Sequence, residues 1–180
     1  MNLSIMPKGM GEYHINHDSL TYAFSDDLNW GSHEQLFIKP SKEAKVFTGK
    51  LFSKTEWEDF VYYSLKDQNN RVLSAKTLIQ VSPPQHIIKE ARVWIVDQKV
   101  ATSSYYRFHG NIDFEETVAE EGLLFAREMA KRYHVTDAYV MDICLTYEGW
   151  KIMEINCINS AGFYKGNVKQ IVTTLEEFYT

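Results

Sequence analysis

Two apolar runs late in the chain, AYVMDICLTY at 138–147 and WKIMEINCI at 150–158, each contain acidic or amide side chains. Both runs have the length and the branched residues typical of β-strands, and the intervening Glu148-Gly149 favours a tight turn. An ionised carboxylate without a partner is costly to bury, so acids in apolar strands require a bound cation or a basic neighbour. We therefore expect an antiparallel hairpin that presents its polar side chains to a specific partner.

The polar residues of this hairpin are Asp142, Glu154 and Asn156. Glu154 and Asn156 are two positions apart on one strand and point to the same face, and antiparallel pairing brings Asp142 close to them. Three converging oxygen ligands are what magnesium requires. The alternative is that the acids form salt bridges with a basic residue at a sheet edge, and the pattern alone leaves both interpretations open.

The first half of the chain contains patterns of strands and one helix. Residues 1–34 show no sustained period and predict an irregular arm with one short strand. QLFIKP and VFTGKLF predict two strands of a hairpin, and Ser53 or Thr55 can cap the helix that follows. TLIQVS predicts a strand that ends at Pro83-Pro84, a stiff dipeptide that we interpret as the boundary between two lobes.

The second half continues the alternation. EARVWIVDQKVATSSYYR predicts two strands joined at Asp97-Gln98, and NVKQIVTTLEEFYT predicts a closing helix. Between Asp113 and His134 we expect one long amphipathic helix, whose buried face includes Val118, Leu123, Leu124, Ala126, Met129 and Ala130. The order of elements indicates an α+β fold with an arm at 1–34, a small lobe at 35–84 and a large lobe at 85–180.

Several basic residues have positions that suit anion binding. Lys39 stands in the strand run FIKP, and Lys50 follows a glycine, which lets backbone approach an anion. Glu90 and Arg92 share a strand face, and Arg107 ends the next strand. Guanidinium groups bind phosphate or carboxylate oxygens bidentately. The alternatives are solvated edge lysines and an ordinary ladder of Glu-Arg pairs on the surface.

Composition excludes some classes of protein. The net charge of -5 argues against general binding to nucleic acid, which depends on clustered Lys and Arg. No stretch approaches the roughly 18 uninterrupted apolar residues of a membrane helix, and the start of the chain has no signal-peptide core. The only cysteines, Cys144 and Cys157, have no metal-binding or CxxC spacing, so we expect a reduced, cytoplasmic protein.

In the order of their motifs, these segments resemble the ATP-grasp superfamily, especially its peptide-ligase-like members. FIKP is similar to the strand whose lysine contacts ATP phosphate, and VFTGK to a reduced form of the phosphate loop. TLIQVS is similar to the interlobe strand whose backbone pairs with adenine. The resemblance implies that the nucleotide contacts in the small lobe include Lys39, Lys50, Gln80, Val81 and Ser82.

The resemblance extends over about residues 35 to 175, and its last motif is the most specific. Glu90 falls where an acid meets ribose, and Arg92 and Arg107 fall at the family's two arginine positions. MDICL followed by IMEINCINSAGF resembles the metal-binding strands, which implies that magnesium is held by Asp142, Glu154 and Asn156. The loop near the acceptor substrate would then contain Asn159, Ser160 and Gly162.

The resemblance implies two small α+β lobes with antiparallel sheets and ATP between them. The implied activity is an ATP- and magnesium-dependent ligation of a carboxylate to an amine through an acyl phosphate. A phosphotransferase, a degenerate nucleotide-binding or protein-interaction domain and a plain structural protein remain as alternatives. Family members normally have a domain before the first lobe, so we expect the arm at 1–34, a second copy in a homodimer or another chain to substitute for it.

Overall fold

The computed structural model describes residues 11–41, 46–67, 69–70 and 72–180. The chain divides into two compact units. The smaller is Asp18–Pro84, and the larger is Gln85–Thr180 together with the described part of Met1–His17. Each unit has an antiparallel sheet with helices, which confirms the predicted α+β class. Residues 18–34, assigned from sequence to the arm, thus belong to the smaller unit.

The smaller unit is a four-stranded antiparallel sheet with the strand order β1-β4-β2-β3 and one helix. Its apolar core is rich in rings, and Trp57 of the helix packs edge-on against both Phe24 and Phe52. The predicted hairpin of QLFIKP with the following strand is present. The elements are β1 (Leu20–Ala23), β2 (Gln35–Pro40), β3 (Lys50–Ser53), α1 (Lys54–Lys66) and β4 (Leu78–Ser82).

Helix α1 begins with reciprocal hydrogen bonds between Ser53 and Glu56. The Glu56 backbone N–H donates to Ser53 Oγ, and the Ser53 backbone N–H donates to the Glu56 carboxylate at 2.8 Å. This arrangement satisfies two backbone donors that a helix start leaves without intrahelical partners. Of the two caps considered from sequence, Ser53 is the one that the structure uses.

The larger unit is a five-stranded antiparallel sheet in the order β7-β6-β5-β8-β9. Helix α2 covers one face, where Ala126 and Met129 pack with Val93 and Met141. Helix α3 covers part of the other face, where Ile171 contributes to a second buried group. The elements are β5 (Ile87–Val96), β6 (Lys99–Phe108), β7 (Asn111–Glu115), α2 (Glu120–Arg132), β8 (Ala138–Thr146), β9 (Gly149–Cys157) and α3 (Val168–Tyr179).

Two predicted hairpins of this sheet are confirmed, and their turns show why. Asp97 and Gln98, between β5 and β6, both have positive φ, 49° and 61°. Paired positive φ values are those of the turn whose twist matches two antiparallel strands. Gly149, with φ of 108°, ends the turn between β8 and β9.

The helix expected at 113–134 was wrong at its start, because β7 occupies Asn111–Glu115 and α2 begins only at Glu120. His109 and Gly110 have φ of 45° and 77° and reverse the chain, so the next residues pair with β6. Leu124 was also placed wrongly, since 56% of it is exposed. In the described part of the chain, no helix has the length and apolarity needed to cross a membrane.

Candidate functional site

The strand pairing of the larger unit gathers charged side chains on one sheet face. Arg92 of β5 lies opposite Asp142 of β8, and Asp142 lies opposite Glu154 of β9. Side chains that oppose each other in an antiparallel ladder share a face. Trp94 and Val140, one alternation further along the same strands, are buried with Ile171 of α3. The same face is therefore apolar where α3 covers it and polar at the Arg92 pair.

Arg92 and Asp142 form a buried, two-pronged ion pair. Arg92 Nε donates to Asp142 Oδ1 at 2.8 Å, and Nη2 donates to Oδ2 at 2.7 Å, with the residues only 8% and 4% exposed. Burial raises the pKa of Asp142, and the hydrogen bonds and charge of Arg92 offset part of that rise. The third nitrogen of Arg92, Nη1, donates to the Gly162 carbonyl oxygen at 3.1 Å. Arg92 thus links the acid to the loop that follows β9.

Tyr106 and Glu90 extend the polar face. Glu90 shares the face of Arg92, is 5% exposed, and has Arg107 Nη1 at 3.9 Å from its carboxylate. Burial raises the pKa of Glu90, while the hydrogen bond from Tyr106 and the charge of Arg107 offset part of the rise. Burial and the nearby acids raise the pKa of Tyr106, so its hydroxyl stays protonated and donates to Glu90. That hydroxyl is also 3.8 Å from Met153 Sδ.

The loop after β9 is tied onto this face. The Tyr164 ring centroid lies 4.9 Å from the guanidinium carbon of Arg92, and Tyr164 adopts a positive φ of 49°. The Lys165 backbone N–H donates to Ser104 Oγ at 3.2 Å. A Cβ added to Gly166 would lie 2.6 Å from the Trp94 ring, so glycine allows the close approach. The loop is thereby held against the polar residues.

Sequence reasoning identified the charged residues of this face and missed Tyr106 and Tyr164. Tyr106 stands at an irregularity in the pairing of β5 with β6, between the partners of Glu90 and Ala91. The signal was the Tyr105-Tyr106 pair, since consecutive strand residues point to opposite faces and one of the two had to leave the core. For Tyr164 the sequence contains no comparable signal.

The residues predicted to bind magnesium have different environments. Asp142 is buried, Glu154 is exposed, and Asn156 is half-buried opposite Val140. Among the described residues, no group of three His, Cys, Asp or Glu side chains comes close enough to hold a metal ion. The donor set nevertheless fits magnesium in kind, because it consists of hard oxygens and a carboxylate retains lone pairs after accepting from arginine.

In the smaller unit, Lys39 and Gln80 are cross-strand neighbours on β2 and β4, and both are half-buried. Gly49 packs closely against Lys39, since an added Cβ would lie 2.7 Å from the Lys39 Cβ. Lys50 opposes Ile38, so it lies on the other face of the sheet, where its Nζ is 4.6 Å from the Phe52 ring centroid. The structure thus groups Lys39 with Gln80 and separates both from Lys50.

Two further residues of the predicted nucleotide contacts, Val81 and Ser82, are buried at the end of β4. β4 is an inner strand that pairs with both β1 and β2. Arg107, predicted as a second catalytic arginine, keeps 49% of its side chain exposed next to Glu90. Arg107 is therefore much more accessible than Arg92.

Comparison with known families identifies this architecture. The model of an ATP-grasp domain family, the third family of its clade, matches residues 16–175. The chain belongs to the ATP-grasp superfamily. The resemblance seen in the order of the sequence motifs is therefore confirmed. A search of curated proteins found no match.

Solved ATP-grasp structures share the fold. The ATP complex of D-alanine–D-alanine ligase from Bacillus anthracis superposes with a TM-score of 0.61 at 14% identity, covering 95% of this ATP-grasp chain and 62% of the ligase. A RimK-domain ATP-grasp protein from Sphaerobacter thermophilus gives a TM-score of 0.59 at 15% identity, covering 80% of this chain and 52% of the other. The chain thus spans about three fifths of the length of the ligases that it matches first.

Proposed function

We propose that this ATP-grasp chain takes part in an ATP- and magnesium-dependent ligation of a carboxylate to an amine through an acyl phosphate. The observation that carries the proposal is the cross-strand series Arg92, Asp142 and Glu154 on the uncovered part of the larger sheet. Support comes from the ATP-grasp family match and from the named activity of fold relatives such as D-alanine–D-alanine ligase. The two free cysteines fit a reducing, cytoplasmic compartment.

Asp142, Glu154 and Asn156 are the proposed magnesium ligands. When bound, the ion neutralises negative charge on phosphate oxygens. Glu154 suits this role because it is exposed and no basic side chain in the described ranges lies within ion-pair distance of it. Arg92 keeps the buried Asp142 carboxylate in one orientation, which pre-arranges its remaining lone pairs.

The arginines have different proposed roles. Three of the five guanidinium N–H groups of Arg92 bond to Asp142 and Gly162, so two remain to stabilise an oxygen that gains charge during transfer. Arg107 is half-exposed and is therefore the more accessible anion-binding group. Glu90, held by Tyr106, is the proposed ribose contact.

The smaller unit contributes the other proposed nucleotide contacts. Lys39 is the proposed phosphate ligand, supported by its position beside Gln80 and by the close backbone of Gly49. Gln80, Val81 and Ser82 are the proposed neighbours of adenine. Lys50 completes the proposed set as a second phosphate contact that would have to reach around the edge of its strand.

The test is release of phosphate from ATP with magnesium, mixed carboxylic acids and mixed amines. We expect Glu154→Ala to reduce the rate by more than about 100-fold, since even changes one contact away from a metal cost roughly 10- to 100-fold. Glu148→Ala is the matched control, because Glu148 is a glutamate of the same hairpin with 76% of its side chain exposed. Equal rates in wild type and Glu154→Ala would remove the metal assignment.

The same assay separates the alternatives. Stimulation by amines supports ligation, whereas phosphate transfer to hydroxyl compounds without any amine indicates a phosphotransferase. Nucleotide binding without turnover is the second candidate, and a specific observation favours it: both oxygens of Asp142 are already bound by Arg92. It predicts that MgATP binds and that no combination of acid and amine releases phosphate.

A further inference from the structure

Strand β7 (Asn111–Glu115) is an open edge of the five-stranded sheet. It pairs with β6 on one side and stands at the end of the strand order. All of its residues are exposed, including Ile112 at 72% and Phe114 at 41%. An edge strand with unpaired N–H and C=O groups is a template for another extended chain, and this one contains no lysine, proline or glycine.

The two faces of β7 differ in chemistry. Phe114 stacks on Tyr164 with 5.4 Å between ring centroids and 23° between planes, so it lies on the face that carries Arg92. Ile112 shares that face by alternation. Asp113 and Glu115 point to the other face, where Glu115 has Lys89 at 3.6 Å. Within the described residues, Asp113 has no basic side chain in ion-pair range.

We propose that β7 binds an extended peptide in which apolar and basic residues alternate, as a sixth strand of the sheet. Backbone hydrogen bonds from the open edge give affinity, and alternate side chains give specificity. The apolar side chains of the peptide pack beside Ile112 and Phe114. Its lysines or arginines lie opposite Asp113 and Glu115, where opposite charges across strands are stabilising. This binding does not depend on the proposed ligase activity.

The charge of β7 argues against a second copy of the chain as the occupant. In antiparallel pairing of two β7 strands, residues of like face oppose each other, so Asp113 and Glu115 would meet the acids of the other copy. Like charges directly opposite are destabilising. A basic peptide converts the same contacts into attractions, and no such change is available to a self-pairing edge.

The test is fluorescence anisotropy at low salt with a labelled peptide, Lys-Ile-Lys-Phe-Lys-Val-Lys, and no nucleotide. Two further peptides isolate the interactions: one has the same composition with all lysines at one end, and one is N-methylated at alternate residues. We expect saturable binding of the alternating peptide alone, because only it presents both faces and both sets of backbone hydrogen bonds.

Two variants of the protein locate the surface. Asp113→Lys should weaken binding by about three- to tenfold or more, as attraction becomes repulsion across the strands. Glu128→Lys, an exposed acid on α2 with the same change of charge, should leave binding unchanged. The proposal fails if the three peptides bind equally, if both variants lose affinity equally, or if no peptide binds. A self-paired dimer that excludes the peptide would also overturn it.

Discussion

At the residue scale, Tyr139 shows how burial can oppose stability. Its ring lies in the core between the sheet and α2 at 1% exposure, and among the described residues its hydroxyl has no hydrogen-bond partner. A buried polar group without a partner costs about 1–3 kcal/mol. We therefore expect Tyr139→Phe to raise the free energy of unfolding by about 1 kcal/mol, measured by urea denaturation. A loss of stability would show that the hydroxyl has a partner, such as a buried water.

The same residue predicts a pH dependence. Burial raises the pKa of Tyr139 from 10.0 to about 12. Because the folded-state pKa lies above the unfolded one, ionisation costs stability, which falls as the pH rises from about 10 through 12. Tyr139→Phe should lose less stability than wild type over that range. Tyr147→Phe is the matched control, since Tyr147 is 79% exposed and should leave the alkaline slope unchanged.

Single residues were predictable where their chemistry conflicts with their neighbours. Asp142 and Glu154 are acids in apolar strands, and that conflict identified them from sequence alone. The partner of Asp142 was not predictable, because Arg92 is 50 positions away and meets it only through the register of β5 with β8. Arg92 had been noted as an anion-binding residue, and the structure adds that its nearest anion belongs to the protein itself.

At the element scale, the cap of α1 makes a sharp test. Ser53→Ala removes the side-chain acceptor for the Glu56 backbone N–H, so we expect a loss of about 1 kcal/mol in the free energy of unfolding. Ser64→Ala, the same change inside the same helix, should be neutral or slightly stabilising because alanine favours helix interiors. Equal effects of the two changes on thermal or urea unfolding would show that Ser53 does not act as a cap.

Elements set by local chemistry were predicted well, and those set by distant pairing were not. The turns at Asp97-Gln98 and Glu148-Gly149 specify hairpins within a few residues, and both were found from sequence. β7 was missed because Asp113 and its acidic neighbours are also typical of a helix start. The reversal at Gly110 and pairing with β6 decide in favour of a strand. The expected helix therefore lost its first turns.

At the scale of the whole molecule, the order of motifs identified the ATP-grasp fold, while the order of strands did not follow from it. In the smaller sheet β4 lies between β1 and β2, although 11 residues separate β1 from β2 in sequence and a helix separates β3 from β4. Such arrangements depend on which apolar faces meet in the core. A single sequence states those faces only as alternation within each strand.

Binding of nucleotide by the whole chain is the prediction on which the proposed function depends most. Ligand at about 100 times its dissociation constant stabilises the native state by roughly 2.7 kcal/mol, which corresponds to about 5–10 °C for a chain of this length. We expect such a rise in unfolding midpoint with MgATP, and a smaller one with ATP or magnesium alone. Glu154→Ala should lose the synergy, whereas Glu148→Ala should keep it. A rise with ATP alone that Glu154→Ala leaves intact would retain nucleotide binding and exclude the proposed metal ligand, and no rise in any sample would exclude both.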